Sequence, residues 1–227
     1  MTFEKDQFAR AVALWTEWNE RINVVSRKDI DNLYEHHILH SLAIYQYLSV
    51  NGFFGTGASL QTAALDGRNR RGMAVCGTGP QAANRGGSFL DVGCGGGFPG
   101  VPLAMVMPEA EFTLCDSIGK KVKVAQAVAD GLGLKNVKCV NARAEALPGQ
   151  FDWVISRAVT SLDNFYPWVK GKFRKGILYL KGGDVNEEIS TMCRKCHVNP
   201  SSVSVWPIKD WLDDDYFSEK FVIHVRK

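Results

Sequence analysis

The sequence predicts an α/β fold: a doubly wound sheet of seven strands with helices on both faces, preceded by an N-terminal helical cap. Three observations carry that reading. From Ser88 onward, apolar runs of strand length alternate with segments of helical period. A glycine-rich turn, Asp91-Val92-Gly93-Cys94-Gly95-Gly96-Gly97-Phe98-Pro99-Gly100, separates the first of those strands from the first of those helices. Ahead of it, residues 4–22 place Phe8, Ala11, Val12, Trp15, Trp18 and Ile22 at steps of three and four, the stripe of an amphipathic helix.

A second helix is expected after Asp29, with Ile30, Leu33, Tyr34, His37, Ile38, Ser41, Leu42 and Tyr45 turned inward. The two helices have no place inside a parallel sheet, so residues 1–50 read as a cap. Residues 51–87 break both periods. They are rich in Gly, Ala, Asn and Thr, carry Arg68, Arg70, Arg71 and Arg85 against Asp66 alone, and read as a long mobile insertion. Such a cationic segment could gain phosphate contacts by counterion release, or could be an inert surface loop. Residues 88–227 form the third region. Strands are expected at 88–92, 111–115, 137–141, 151–157, 176–181, 201–206 and 220–226, and helices around 99–106, 119–132, 162–170 and 184–194.

The glycine turn has the chemistry of a cofactor loop. Gly93, Gly95 and Gly97 permit a tight turn and close backbone approach to a ligand, and Pro99 suits the first turn of a helix. Gly95 to Gly100 also fits the dinucleotide pattern G-x-G-x-x-G. Asp91 at the strand's end weighs against that reading, because a carboxylate would repel a pyrophosphate but suits an ammonium group. This arrangement is similar to the first motif of S-adenosylmethionine (SAM) methyltransferases. Asp116, at the end of the next strand, lies about where a carboxylate accepts both ribose hydroxyls, a feature that fits SAM and NAD equally.

At 227 residues with a net charge of +3, the chain suits one α/β domain with an appendage. No run approaches the ~18–20 apolar residues of a membrane span, and Met1 to Asp6 lack the order of a signal peptide, so a cytoplasmic protein with no membrane partner is expected. The six cysteines (Cys76, Cys94, Cys115, Cys139, Cys193, Cys196) read as reduced thiols. Basic clusters at Lys120-Lys121-Val122-Lys123 and at 170–175 either meet phosphates or form solvated faces.

Several motifs are set aside on context. Cys193-Arg194-Lys195-Cys196-His197 spells a haem-attachment pattern, yet export and further metal ligands are missing, so a pair of thiols at a helix end is expected. His36 and His40 have a metal-binding spacing but lack a zincin glutamate, which favours packing. Gly77-Thr78-Gly79-Pro80 has no preceding strand and reads as a decoy. A Gly-x-Ser-x-Gly elbow is absent, which argues against a hydrolase; an Asp-Pro-Pro-Tyr-like loop is also absent, which argues against methylation of exocyclic amines.

A family resemblance then emerges from Trp15-Thr16-Glu17-Trp18-Asn19, Ile22-Asn23-Val24-Val25-Ser26, His37-Ile38-Leu39-His40-Ser41, the Asp91–Gly100 turn, Leu114-Cys115-Asp116-Ser117-Ile118-Gly119-Lys120-Lys121, Asn141-Ala142-Arg143-Ala144-Glu145, Ile155-Ser156-Arg157-Ala158 and Leu180-Lys181-Gly182-Gly183. Together these resemble the bacterial 16S ribosomal RNA guanine-N7 methyltransferases, also known as glucose-inhibited division protein B. The resemblance covers nearly the whole chain apart from 51–87. It departs at His40, where the family often has aspartate, and in the long insertion.

The resemblance implies a Rossmann-like class I SAM methyltransferase. Its cofactor pocket is formed by Gly93 and Phe98, Asp116 at the ribose, Ala144 and Glu145 at the adenine, and Arg157 closing the site, beside Asp91, Gly95 and Gly97 from the glycine turn. Its substrate is 16S ribosomal RNA or a small-subunit precursor, met by a monomer. Guanine N7 carries an in-plane lone pair and no proton, so its methylation needs no general base. Alignment of N7 behind the methyl group then carries catalysis. A splayed guanine is expected to stack on Phe98, Trp153 or Phe165, with Arg143, Arg157 and Lys181 neutralising phosphates or orienting the base. A small-molecule methyltransferase, an NAD oxidoreductase and a non-catalytic RNA-binding module are the competing classes.

Overall fold

The computed structural model describes residues 6–54 and 86–227 in full, and the backbone alone of 5, 59–63 and 72–76. Helix α1 (Lys5–Arg21) buries Phe8, Ala11 and Trp15, the stripe read from the sequence. The second predicted helix is divided. A short 3-10 turn (Ile30–Asn32) and a π-helical stretch (Leu33–Leu39) precede α2 (His40–Val50). Every residue of α2 from His40 to Ser49 is buried, so this is not the one-sided helix of a cap. A helix apolar on all sides belongs to an interior. It packs against α3 (Gly100–Val106), β7 (Phe173–Gly182) and β9 (Lys220–Arg226), and the Tyr47 hydroxyl meets His224 Nδ1 at 2.9 Å.

Gly52 takes the left-handed conformation (φ +77°) that closes α2, while Phe53 and Gly52 donate to Leu48 and Ser49 carbonyls. The core then continues through Phe54, which is 4% exposed, so the expected insertion starts later than residue 51. Strands β1 (Ser59–Ala63) and β2 (Gly72–Cys76) pair antiparallel, where the sequence shows no strand period. Arg68, Arg70, Arg71, Arg85 and the 77–80 turn lie outside the described residues.

The remaining strands are β3 (Gly87–Val92), β4 (Ala110–Asp116), β5 (Val137–Asn141), β6 (Phe151–Arg157) and β8 (Val203–Pro207). The seven-stranded sheet runs β5-β4-β3-β6-β7-β9-β8, parallel except that β9 is antiparallel to both neighbours. The expected β8 starts later because Asn199 caps a helical turn at Pro200–Ser202 through its side chain. Alternation along the strands builds two cores. Phe89, Phe112, Trp153, Ile155, Leu178 and Leu180 face α1, α2, α3 and α4 (Gly119–Gly131); Leu90, Val92, Val154, Ile177 and Tyr179 face α5 (Leu162–Val169) and α6 (Asn186–Cys196). Phe89 and Phe112 are directly paired across β3 and β4, with rings stacked 4.8 Å apart. Strand order reverses between β3 and β6, the switch point at whose C-terminal edge such sheets bind ligands. Among the described residues, no helix is long and apolar enough to cross a membrane.

Candidate active site

The glycine turn sits at that switch point, and each glycine has a different neighbour. Gly93 and Gly95 adopt left-handed φ values of +69° and +53°. A Cβ on Gly93 would lie 2.5 Å from Val159, whereas one on Gly95 would meet nothing within 4 Å. Gly95 therefore exposes its backbone to open space, and Gly93 is required by the loop that follows β6. Gly96 is crowded by Val24, Gly97 by Val101, and Gly100 by Asp91 and Leu114. The N-terminal segment fixes the turn from the other side: Trp15 Nε1 donates to the Gly96 carbonyl at 2.7 Å, and its ring stacks on Phe98 at 4.3 Å.

Two carboxylates flank the turn. Asp91 is fully buried; its Oδ2 accepts the Gly100 N–H at 2.8 Å, and its Oδ1 has no partner among the described residues. Burial pushes its pKa up to about 7, opposed by the Gly100 hydrogen bond and by the charge of Arg157. Asp116 accepts the Gly95 N–H at 3.0 Å and the Ile118 N–H at 2.8 Å, tying the end of β4 to the open part of the turn. Each of its oxygens keeps acceptor capacity for a further donor.

Arg157, the last residue of β6, lies on the same face of the sheet as Asp91 and Ile155. Its Cζ is 5.0 Å from the centre of the Phe98 ring, and its Nη2 approaches His37 Nδ1 at 2.9 Å. Asp29 receives both neighbouring histidines: His37 Nε2 at 2.6 Å and His36 Nδ1 at 2.5 Å. His36 stacks on Tyr216 at 3.5 Å, and His40 is buried edge-on to Phe217. The expected His36–His40 packing thus uses the first ring on Asp29. Burial, reinforced by Arg157, pushes His37 down to about 4.

Lys181 does not join this group. Arg157 pairs with Leu180 across β6 and β7, so Lys181 points to the opposite face, where it donates to Glu188 and to the Thr160 carbonyl, each at 3.0 Å. Tyr179 supports the same loop, its hydroxyl accepting from Val159 and Thr160 and donating to the Thr160 carbonyl. Arg143 and Glu145 are exposed and Ala144 is buried, all beside a short helical turn after β5 at the ligand edge. The three aromatic candidates for base stacking are core residues: Phe98, Trp153 and Phe165 are 3%, 2% and 0% exposed. Of the two basic clusters, Lys120 and Lys121 open α4 at the ligand edge, whereas 170–175 leads into the start of β7 at the far edge. There Lys172 donates to the Leu147 carbonyl and Arg174 pairs with Asp152.

Cys193 and Cys196 end α6, and the Cys196 thiol donates to the Asp163 carbonyl at 3.6 Å. Among the described residues no His, Cys, Asp and Glu cluster is arranged for a metal ion. Trp15, Val24, Asp29, His37 and Val159 shape the site although the sequence alone does not mark them for it; the helical stripe and the quoted family motifs touch Trp15, Val24 and His37, and neither touches Asp29 or Val159.

Comparison with known proteins follows the same outline. The family model described as rRNA small subunit methyltransferase G matches residues 78–210. A ribosomal RNA small subunit methyltransferase G of Flavobacterium psychrophilum is 42% identical over 96% of this chain and 89% of its own length. One from Porphyromonas gingivalis is 38% identical over 98% and 86%. Among solved structures, a magnesium protoporphyrin IX methyltransferase from Synechocystis PCC 6803, crystallised with bound SAM, aligns over 99% of this chain and 98% of its own. Its TM-score is 0.59 at 13% identity, a likeness of fold alone.

Proposed function

Because the chain belongs to the rRNA small subunit methyltransferase G family, we propose that it transfers a methyl group from SAM to N7 of a guanine in 16S ribosomal RNA. It does so as a cytoplasmic monomer acting on the RNA or its small-subunit precursor. The observation that carries the cofactor reading is Asp91: a buried carboxylate with one oxygen holding the start of α3 and the other without a partner. An unmatched buried acceptor costs free energy that an ammonium group would recover. The methionine end of SAM supplies such a group. Gly95 offers backbone approach beside it, and Asp116 supplies acceptors for ribose hydroxyls.

SAM brings a methyl group already activated on a sulfonium. The residues then have to bind, orient and exclude water. N7 needs no proton removed, which agrees with thiols at Cys94 and Cys115 that burial holds well protonated. Arg157 presents positive charge at the switch point but does not serve as a clamp on N7, which is the nucleophile. Alignment supplies the acceleration.

Calorimetric titration with SAM and, separately, with NADH tests the cofactor. Methyl transfer to ribosomal RNA, naked and assembled into subunits, tests the substrate. SAM binding with N7-methylguanosine in the digested RNA is expected. Binding of NADH in place of SAM, or methyl transfer confined to small molecules, overturns the proposal.

A further inference from the structure

We propose that His37 is a positioning residue for Arg157, presenting an unprotonated Nδ1 to the guanidinium because Asp29 fixes the proton on Nε2. The inference rests on the reading of Arg157 as part of the SAM site. Arginine cannot accept a hydrogen bond, so the 2.9 Å contact between Arg157 Nη2 and His37 Nδ1 requires the ring nitrogen to be the acceptor. The proton of a neutral ring then resides on Nε2, whose neighbour at 2.6 Å is the Asp29 carboxylate.

No paired anion holds Arg157. Among the described residues no carboxylate oxygen lies within 4 Å of its guanidinium; it meets the Phe98 ring and, at 3.5 Å, the His36 carbonyl, while Tyr216, Asp91 and Asp29 act on it only from a distance. A charged arginine fixed without a paired anion keeps its full charge for a ligand, and a neutral imidazole can fix it without neutralising it. The backbone is built for this. The π-helical stretch Leu33–Leu39 carries both histidines, a widened helix of a kind frequent at functional sites, and it brings consecutive rings to the two oxygens of one carboxylate. His36 occupies the second oxygen and is held by Tyr216, so Asp29 has a fixed orientation toward His37.

Two amide replacements separate the two ends of the ring. In His37→Asn the amide oxygen falls near Nδ1 and can still accept from Arg157, while the reach to Asp29 is lost. In His37→Gln the amide nitrogen falls near Nε2 and can still donate to Asp29, while the acceptor for Arg157 is lost. SAM affinity, single-turnover methyl transfer and thermal midpoint are measured for both, with Arg157→Lys alongside. His37→Gln is expected to lose at least tenfold in SAM affinity or transfer rate, and His37→Asn to recover most of that loss although it is no more stable. Equal impairment of the two amides, or a fully active His37→Gln, overturns the proposal. If Arg157→Lys itself changes neither quantity, the reading of Arg157 as a pocket residue fails instead. Nitrogen-15 shifts of the His37 ring in the parent protein give an answer that needs no variant: an unprotonated Nδ1 is expected at neutral pH, and a protonated Nδ1 overturns the assignment.

Discussion

Trp15 reaches across 81 positions of sequence to donate its indole N–H to the Gly96 carbonyl, a buried bond of 2.7 Å. The same ring lies flat on Phe98, two residues further along the turn. The N-terminal helix is thereby part of the cofactor loop's support. Trp15→Phe keeps an aromatic surface but leaves the carbonyl without its donor, which costs about 1–3 kcal/mol. Urea unfolding is expected to show that loss, and SAM titration a several-fold weakening. An unchanged affinity would detach α1 from the loop's function.

The glycines are predicted to fail for different reasons. Gly93→Ala places a methyl 2.5 Å from Val159, so the variant should lose stability and regain much of it in the double variant with Val159→Ala. Gly95→Ala meets no protein atom; it should cost only about 1–2 kcal/mol for its left-handed backbone yet weaken SAM disproportionately. Thermal midpoints and SAM dissociation constants measured on all three variants check both halves.

Asp91 makes stability depend on pH in an unusual direction. Its folded pKa of about 7 lies above the ordinary 3.8, so between those values the folded protein holds a proton that the unfolded chain has released. Its contribution therefore declines as pH rises through that window and is level above about 7. Asp91→Asn can keep the acceptor for Gly100 and removes the titration. Relative to the parent, the variant should gain stability between pH 4 and 7, by about 4 kcal/mol in total, while SAM affinity drops at least tenfold. His37 and His224, both pushed down to about 4, act in the opposite sense but are common to both proteins. A difference that does not change with pH would show that Asp91 is ionised throughout.

Lys181 should act through the loop it holds. Lys181→Ala removes partners of Glu188 and of the Thr160 carbonyl, and SAM lies on the other side of the sheet from them in the proposed site. Methyl transfer is expected to fall at least tenfold with SAM affinity changed less than twofold. Collapse of SAM affinity with RNA binding intact would reverse the assignment.

The two basic clusters should differ in salt dependence. Replacing Lys120 and Lys121 by alanine, at the ligand edge, should weaken RNA binding and reduce the slope of log affinity against log salt by about 1.4, some 0.7 for each single-strand phosphate that is no longer neutralised. The same change at Lys170 and Lys175, at the far edge, should leave the slope unaltered. Equal effects would place RNA elsewhere.

Strands and helices after Ser88 are legible because burial on two faces imposes periods that sequence displays directly. Register is not displayed in this way. Arg157 and Lys181 both stand near strand ends, but only the pairing of Arg157 with Leu180 sends them to opposite faces. Nor does a run of glycines reveal which one faces open space; that depends on Val159 and Val24, which arrive from distant segments. Helix α2 reads from sequence as one-sided, with Ser41, Leu42 and Tyr45 turned inward, yet Gln46 and Ser49 are buried as well, because the helix is covered by α3, β7 and β9. Asp29 gives no sequence signal because its importance lies in two histidines that a π-helical backbone, invisible to a 3.6-residue period, turns toward it.

The enclosure of α2 from His40 to Ser49 has a consequence for synthesis. Its partners β7 and β9 are translated more than a hundred residues later, and the Tyr47–His224 contact spans 177 positions. A nascent chain therefore carries an uncovered apolar helix while most of the polypeptide is still being made. Contacts this distant in sequence close slowly, and exposed apolar segments invite aggregation in the interval. The Tyr47–His224 contact cannot close, and α2 cannot be covered on that side, until β9 has been made.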